Sequence, residues 1–473
     1  MKTPERNAAG GHSADRNPSA EGRSERATPP APGPIRPFEF PAVEKIPLEN
    51  GLDLRVVRAA NLPMVHVNLF MRAGEDGLLP ERAGLAVLAG DALEGGTRRR
   101  SGTELAEALE GIGARLSVST GWEGTSVSLS CLADRLEKGM ELLAEAVLEP
   151  AFPEKEVRRA REQQLARIRQ RSMDPASLAS EAAARVIFAP DVPYARPRIG
   201  SRESVEGLTR DHLRGYADAC WRPGRGGLVV AGDVDAGEVE TLVRTTLGGW
   251  SGAPSCSGDF QVRAAEAKSR MVLVDRPGSV QSEIRVGHVG AARTDPDVDV
   301  LRVVNTLFGG SFTSRLNLNL RERHGFTYGV RSRFALRSRP GPFIISTAVG
   351  TDVSGAAVGE ILAELEALAD AGPVEEEVTA ARDYLAGVFP LRLETVGQLA
   401  ARVAELIVYG LPDDEYSTYR DRIRAVSTDA AARTARRRFR PRDARVVVVG
   451  DAETVRSQLE DLGLGEVEVE NPL

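Results

Sequence analysis

The sequence predicts an α+β protein built from two homologous α/β halves, each an antiparallel sheet flanked by helices. Strand and helix patterns are mixed throughout the chain, and one helix-then-strand unit occurs twice. Apolar residues occupy every second position in two segments, as they do in half-buried strands: Val65, Val67, Leu69 and Met71 in one, and Val127, Leu129 and Cys131 in the other. A capping-box pair, Ser101 with Glu104, predicts the start of a helix that Gly113 ends.

The repeated unit is clearest near the end of each half. A Trp-Arg-Pro or Phe-Arg-Pro triplet, a run of four apolar residues and a Gly-Asp pair follow one another twice, at the same spacing. The first copy ends at Gly232-Asp233 and the second at Gly450-Asp451. Self-similarity of this kind indicates two copies of one structural unit.

Composition predicts the domain boundaries. Residues 1–38 are rich in Pro, Gly, Ser and mixed charge without an apolar stretch, which predicts a disordered tail. The segment 251–268 begins with Ser-Gly-Ala-Pro-Ser-Cys-Ser-Gly, which is the composition of a flexible connector. We therefore expect a first domain over residues 39–250, a linker over 251–268 and a second domain over 269–473.

The overall composition argues against two classes of partner. The chain has 473 residues, of which 42% are hydrophobic and 27% charged, as in ordinary globular proteins. Its 61 basic and 68 acidic residues give a net charge of -7, so no basic field attracts nucleic acid or an anionic membrane. No apolar run approaches the ~20 residues of a membrane span. We expect no nucleic acid partner and no membrane span.

The cysteines and the N-terminal residues bear on the compartment. Cys131, Cys220 and Cys256 are widely spaced, which excludes a C-x-x-C metal motif and argues against a disulfide framework. This favours a reducing compartment. Residues 1–38 lack the apolar region of a secretory signal, and their acidic residues argue against a mitochondrial presequence. We expect a cytoplasmic protein, with an envelope location left open.

One segment of the first half resembles a zinc-binding helix without its ligands. Residues 84–97 begin with Gly-Leu-Ala and end with Gly-Thr, the frame around the inverted zinc motif H-x-x-E-H of the pitrilysin/insulinase family of peptidases. That motif holds Zn²⁺ with two imidazoles at i and i+4, and the carboxylate between them is the general base. Its positions here are Val87, Gly90 and Asp91. Val87 cannot bind a metal, and Gly90 cannot take a proton.

The family's third ligand is missing as well. In the family this ligand is a Glu on a later helix, and its spacing from the second His leads here to Arg167. A cation therefore stands where the metal needs an anion, and Asp91 is expected to form an ion pair with Arg167. The five histidines provide no second site, since no two stand at metal-ligand spacing on one helix. The resemblance therefore implies no cofactor in this chain.

The second half resembles the family's other signature. The segment Phe308–Val330 carries Arg321 at the end of a helix and Tyr328 seven residues on. In active relatives such a pair contacts the scissile region, where a cation and a phenolic hydroxyl suit an oxyanion that forms on the attacked carbonyl. Gly325 is expected to adopt the left-handed conformation that ends the helix and lets the two side chains converge.

Other interpretations of these residues remain open. Arg321 can pair with Glu322 on a solvated helix end, and Tyr328 can be an ordinary strand aromatic. The preceding segment, Gly309-Gly310-Ser311-Phe312, lacks the Lys-Ser/Thr of a phosphate-binding loop. We interpret it as a tight turn that is also a candidate for contact with a peptide substrate.

The resemblance spans about residues 40–460 and implies two halves arranged as a clamshell. In bacterial members of the family, one chain often carries zinc and a second carries the Arg/Tyr pair, and together they enclose a chamber for unfolded peptides. The resemblance therefore implies a non-catalytic subunit. It would complete, in trans, the active site of a homologous partner that carries zinc and cuts peptides or unfolded proteins.

The competing hypothesis is a structural or peptide-binding homologue without a proteolytic role, like the family's core proteins in the respiratory chain. Retention of Arg321 and Tyr328 favours the first hypothesis over this one. An autonomous hydrolase would need a nucleophile motif such as G-x-S-x-G between a strand and a helix, and the sequence contains none in that context.

Overall fold

The computed structural model describes residues 33, 37–224, 226–256, 258–266 and 269–471. The chain divides after Phe38 into two units, of which the second, Glu39–Leu473, is compact. The predicted tail lies almost entirely outside the described residues. Everything that follows concerns the second unit.

Each half contains one six-stranded sheet. The first sheet has the order β1-β2-β6-β3-β5-β4 and the second has the order β12-β7-β11-β8-β10-β9. The strands of the first sheet are β1 Glu44–Pro47, β2 Asp53–Arg58, β3 Met64–Met71, β4 Arg115–Thr120, β5 Thr125–Leu132 and β6 Gly227–Gly232. Those of the second are β7 Met271–Asp275, β8 Gln281–Val289, β9 Val330–Phe334, β10 Pro342–Gly350, β11 Arg445–Gly450 and β12 Val467–Glu470.

The strand orders confirm the internal repeat. Strands β2 to β6 of the first sheet occupy the same places as β7 to β11 of the second. The repeated apolar runs are β6 and β11, and each pairs in parallel with the first repeated strand, β2 or β7. The sheets are therefore mixed rather than wholly antiparallel, because β6 and β11 return to their sheets after long crossover segments. Outside the repeat, β1 is antiparallel to β2 and β12 is parallel to β7.

Helices cover the sheets in both halves. In the first half they are α1 Leu85–Asp91, α2 Gly102–Gly111, α3 Leu136–Leu148, α4 Glu154–Met173, α5 Pro175–Ile187, α6 Arg202–Glu206, α7 Arg210–Cys220 and α8 Ala236–Leu247. In the second they are α9 Val298–Asn305, α10 Ser354–Ala371, α11 Glu375–Val388, α12 Val396–Tyr409, α13 Tyr419–Arg424, α14 Thr428–Arg438 and α15 Ala452–Glu460. Two π-helices, Thr306–Gly310 and Asn317–Arg323, follow α9. Short 3₁₀ turns are Glu75–Gly77, Pro80–Arg82, Leu93–Gly95, Ala133–Arg135, Pro193–Ala195, Thr351–Val353, Pro390–Leu393 and Pro441–Asp443.

Local signals predicted the ends of α2 correctly. The Ser101 backbone N–H donates to Glu104 Oε2 at 2.8 Å, and the Glu104 backbone N–H donates to Ser101 Oγ at 3.3 Å. Gly113 follows the helix with φ of 64°, the left-handed conformation expected there. Among the described residues, no helix is long and apolar enough to cross a bilayer.

The two halves exchange a helix. Helix α5 of the first half packs on β8 and β11 of the second sheet, and α12 of the second half packs on β3 and β6 of the first. Hydrogen bonds support both contacts. Arg285 Nη2 on β8 donates to Ala176 O of α5 at 3.0 Å, and Arg72 Nη2 after β3 donates to Val408 O of α12 at 2.7 Å. Each half thus supplies one helix that covers a face of the other half's sheet.

We therefore expect the first half, residues 39–250, to fail to fold alone, since one face of its sheet would lose α12. Residues 269–473 would lose α5 in the same way. Co-expression of the two fragments should restore a folded 1:1 pair, measured by size-exclusion chromatography and near-UV circular dichroism. A cooperative thermal transition of residues 39–250 alone, close to that of the full chain, would contradict the exchange.

The structure corrects two expectations about the cysteines and the linker. Cys220, at the end of α7, forms a disulfide with Cys256, with their Cα atoms 5.4 Å apart, whereas Cys131 is buried and free. The linker is also not a free connector, because Ser255 N donates to Ala219 O at 3.0 Å and the Phe260 ring packs edge-on against Tyr194. Wide sequence spacing gave no sign that this segment folds back along α7.

Candidate functional site

Helix α1 occupies the position predicted for the zinc helix, and contacts within the chain hold its frame. Gly84 precedes it with φ of 89°, and a Cβ atom there would lie 2.5 Å from Ile199 O. The buried Gln164 side chain of α4 donates to Gly84 O at 3.0 Å and to Ile199 O at 2.7 Å. The Gly-Leu-Ala frame therefore has a packing role that is independent of metal.

A buried carboxylate caps this helix. Glu75 is fully buried, and its side chain accepts hydrogen bonds from Gly84 N at 3.0 Å and Val87 N at 3.1 Å. Burial raises the pKa of Glu75 to about 7, although the hydrogen bonds from backbone N–H groups act in the opposite direction. Sequence reasoning missed Glu75, because it lies in a 3₁₀ turn with no periodic pattern around it.

Glu75 should make stability depend on pH. Since its pKa is raised above the ordinary value of 4.5, the native state holds a proton that the unfolded state releases, and stability falls as pH rises from about 4.5 through about 7. We expect this carboxyl to contribute of the order of 3 kcal/mol to that fall. In Glu75→Gln the fall should be smaller by that amount, measured by urea unfolding at pH 5 and pH 8.

The matched control for this prediction is Glu107→Gln, on an exposed position of α2. It should leave the pH dependence as in the unmodified chain. An unchanged slope in Glu75→Gln would show that the Glu75 carboxyl titrates as it does in water.

Neighbouring atoms fill the space that a side chain would need at the general-base position, Gly90. A Cβ atom on Gly90 would lie 2.5 Å from Thr120 Oγ1 of β4 and 3.4 Å from Val118 Cγ1. The Thr120 hydroxyl is held by Thr125 Oγ1 at 3.1 Å and by Ala86 O at 3.4 Å. The glycine at position 90 therefore permits α1 to approach β4 closely.

The two remaining motif positions carry opposite charges. Arg167 Nη2 of α4 and Asp91 Oδ2 of α1 form an ion pair, the contact that the sequence predicts. Beside them is a cavity of about 400 Å³ whose lining includes Glu94, Glu156 and Arg159. The residues at this site do not fit zinc, and the described part of the chain contains no group of three His, Cys, Asp or Glu side chains able to hold a metal ion.

The second signature lies on the surface. Arg321 is near the end of the π-helix Asn317–Arg323, and Gly325 follows with φ of 66°, as predicted. Tyr328 lies two residues before β9, so it is not a strand aromatic, and its side chain is 96% exposed. Within the described part of the chain, its hydroxyl makes no hydrogen bond.

The backbone on both sides of Tyr328 is fixed. Thr347 of β10 is buried, and its hydroxyl lies 2.9 Å from Thr327 Oγ1 and 3.1 Å from Gly329 O. Gly329 N also donates to Thr327 Oγ1 at 3.1 Å. The exposed phenol is therefore displayed from an ordered support rather than from a free loop.

Arg321 has only weak partners. Its Nε lies 3.6 Å from Glu322 Oε1, so the alternative contact considered from the sequence is present, but as a long and partly exposed pair. Its guanidinium also stacks on the Phe312 ring, 4.2 Å from the centroid. Phe312 is itself 68% exposed and Tyr328 is exposed as well, while the Arg321 side chain is half-buried between Phe312 and Glu322.

The four candidate loop residues divide into two groups. Gly309 is buried, and a Cβ atom there would lie 2.5 Å from Ser332 Oγ, so it serves close packing on β9. Gly310 is exposed and follows it in the π-helix Thr306–Gly310. Ser311 supplies a backbone acceptor to a buried side chain of the next π-helix. This leaves Phe312 as the loop side chain most available to a ligand.

Comparisons with known proteins match both halves of the chain. The family profile described as Insulinase (Peptidase family M16) matches residues 56–189, and that described as Peptidase M16 inactive domain matches residues 207–385. An uncharacterized zinc protease of Mycobacterium tuberculosis is 28% identical over 382 residues, which are 79% of this chain and 85% of the relative. The non-peptidase homolog YmxG of Helicobacter pylori is 24% identical over 370 residues, 77% of this chain and 84% of that protein.

Solved structures share the fold. A peptidase M16 inactive domain from Pseudomonas fluorescens superposes with a TM-score of 0.81 at 23% identity, over 86% of this chain and 98% of that one. A protease from Helicobacter pylori superposes with a TM-score of 0.80 at 18% identity, over 87% of this chain and all of the other. The chain therefore belongs to the pitrilysin/insulinase (M16) family of peptidases, as an inactive member that lacks the H-x-x-E-H motif.

Proposed function

We propose that the chain is a non-catalytic subunit of a heteromeric zinc metallopeptidase. It supplies Arg321, Tyr328 and half of the substrate chamber to a homologous partner that carries zinc. The observation that carries the proposal is the 96% exposure of Tyr328 beside a supported backbone, with no use for its hydroxyl within the described chain. A tyrosine that served only the fold would be packed.

The chemistry of the pair suits peptide hydrolysis. A guanidinium and a phenolic O–H both donate hydrogen bonds, and an attacked peptide carbonyl develops negative charge on its oxygen. Neither group removes a proton from water, so the pair needs a base and a metal from elsewhere. The zinc-bearing partner supplies both in this proposal, and the substrates are peptides or unfolded proteins.

The relatives support a divided function. Relatives named zinc proteases match this chain over most of their length, and another relative matched over most of its length is named a non-peptidase homolog. The absence of the motif in this chain then marks the second kind of subunit.

The cytoplasm is the proposed compartment, and the Cys220–Cys256 disulfide is the observation that argues against it.

The test is reconstitution from purified subunits. The chain alone should contain far less than one zinc per chain and cleave no unfolded peptide, because Val87, Gly90 and Arg167 replace two ligands and the base. Mixed with the H-x-x-E-H homologue from its own genome, it should form a stable complex that cleaves peptides, measured by native mass spectrometry and fluorogenic peptides. Stoichiometric zinc in the chain alone, unchanged by Asp91→Ala, would contradict the proposal.

The alternative is a structural or peptide-binding homologue with no proteolytic role. The exposed Phe312 ring favours contact with a peptide in either case. Reconstitution separates the two: under the alternative, the chain binds unfolded peptide without raising the hydrolysis rate of any zinc-bearing homologue.

A further inference from the structure

One buried side chain joins the separate segments that carry Arg321 and Tyr328. Asn317 begins the π-helix on which Arg321 lies, and it is only 7% exposed. Its Nδ2 donates to Val330 O at 2.9 Å, and its Oδ1 accepts from Val330 N at 3.2 Å. Both backbone polar groups of Val330, two residues after Tyr328, are therefore bound by this one amide.

The same amide reaches the turn that carries Phe312. Asn317 Nδ2 lies 3.1 Å from Ser311 O and 3.1 Å from Ser314 Oγ. Ser311 immediately precedes Phe312, whose ring stacks against the Arg321 guanidinium. The turn, the π-helix and the start of β9 thus converge on Asn317.

We infer that Asn317 is the positioning residue of the Arg321–Tyr328 site, an inference that rests on the proposed function. A planar amide with two donors and an acceptor fixes both the distance and the orientation of the groups it binds. Arg321 lies four residues after Asn317 on the same helix, and Tyr328 lies two residues before the strand residue that Asn317 holds. A shift of about 1 Å in a reacting group can cost about 10²-fold in rate, so this amide sets turnover without touching substrate.

The helix type is a second observation in favour of this role. Two π-helices border the turn that contains Ser311 and Phe312. Thr306–Gly310 precedes the turn, and Asn317–Arg323, which follows it, begins with Asn317 itself. Wider π-helical turns occur in proteins mostly as short insertions, frequently at functional sites. The backbone here departs from the α-helix in the segment that carries Arg321 and in the segment that leads into the Phe312 turn.

A second asparagine side chain that binds the same strand, β9, offers a matched control. Asn305, at the end of α9, donates from Nδ2 to Ser332 O at 3.0 Å, and its Oδ1 accepts from Ser332 Oγ at 2.9 Å. It therefore also holds β9 by side-chain hydrogen bonds, two residues further along. Its side chain makes no hydrogen bond to the Ser311 turn or to the π-helix of Arg321 among the residues described.

The experiment uses the complex with the zinc-bearing partner. Asn317→Ala should lower kcat at least about tenfold with KM within about twofold, while Asn305→Ala should keep kcat within about threefold of the unmodified complex. Asn317→Asp keeps the shape of the side chain and the acceptor for Val330 N but loses the donors. It should also lower kcat with little change in KM. In the double variant Asn317→Ala with Tyr328→Phe, the combined loss should be smaller than the product of the two single losses.

The outcomes separate this inference from the proposed function. If Arg321→Ala and Tyr328→Phe leave turnover unchanged, the proposed function fails. If those two variants lower turnover but Asn317→Ala behaves like Asn305→Ala, only the positioning role is overturned. If neither Asn317 variant assembles while Asn305→Ala does, Asn317 serves folding and the inference is again overturned.

Discussion

In the reconstituted complex, Tyr328→Phe is expected to lower kcat by about 10² to 10³-fold while assembly stays unchanged. Removal of one oxyanion donor typically costs that factor, roughly 3 to 4 kcal/mol of transition-state stabilisation. The substitution removes only a hydroxyl from a side chain that is 96% exposed, so it takes away no packing within this chain. Steady-state kinetics on an unfolded peptide and native mass spectrometry of the complex measure both quantities.

Arg321→Ala is expected to have an effect of similar size. The guanidinium forms only a 3.6 Å pair with Glu322 and a stack on Phe312, so its loss should change stability by under about 1 kcal/mol. A large loss of turnover with little loss of stability is the result that a surface ion pair alone cannot produce.

Two control variants accompany this prediction. Glu322→Ala breaks the same ion pair from its other side and should leave kcat near that of the unmodified complex. Tyr384→Phe removes a hydroxyl from another tyrosine, on α11 and 47% exposed, and should also leave kcat unchanged. Unchanged turnover in both Tyr328→Phe and Arg321→Ala would make this chain a scaffold.

Much of the fold could be predicted because short local patterns in the sequence specify it. The repeated apolar run that ends in Gly-Asp became β6 and β11, and the Ser101–Glu104 pair capped α2. Asp91 and Arg167 could be paired from the ligand spacing that the resemblance to the family implies, because helix positions that jointly hold a metal in relatives stay adjacent when the ligands change. These signals survive in sequence since each depends on a few residues at fixed spacing.

Other features had no such signal. The exchange of α5 and α12 depends on which sheet each helix packs against, and an amphipathic pattern does not specify that. Asn317 and Glu75 were missed because a buried amide or carboxylate acts through distant backbone groups whose position only the fold defines. The Cys220–Cys256 pair was missed for the same reason.

Restoring the zinc ligands is expected to destabilise the fold less than restoring the general base. Val87 and Asp91 lie four residues apart on α1, and the Asp91 and Arg167 side chains already meet. The triple variant Val87→His, Asp91→His, Arg167→Glu therefore places two imidazoles and a carboxylate around one point, which is a three-ligand zinc site. We expect it to hold close to one zinc per chain after dialysis, measured by metal analysis.

The matched control is the double variant Val87→His, Asp91→His, which retains the Arg167 cation beside the imidazoles. It should hold far less zinc, since two ligands are too few and the neighbouring guanidinium repels the metal. Free zinc at a concentration of about 100 times its Kd should raise the free energy of unfolding of the triple variant by about 2.7 kcal/mol. A triple variant without zinc would show that α1 and α4 no longer have the spacing of a metal site.

Adding the general base at position 90 should lower the stability of the fold. Gly90→Glu in the triple variant places a Cβ atom 2.5 Å from Thr120 Oγ1, whose hydroxyl is already held by Thr125. Overpacking of this kind typically costs about 1 to 3 kcal/mol, so the quadruple variant should unfold at a lower temperature than the triple one. Thr120→Ala should recover most of that loss, because it removes the blocking oxygen. If Gly90→Glu leaves the unfolding temperature of the triple variant unchanged, α1 and β4 can separate at this point. The close approach at Gly90 is then not what excludes the general base.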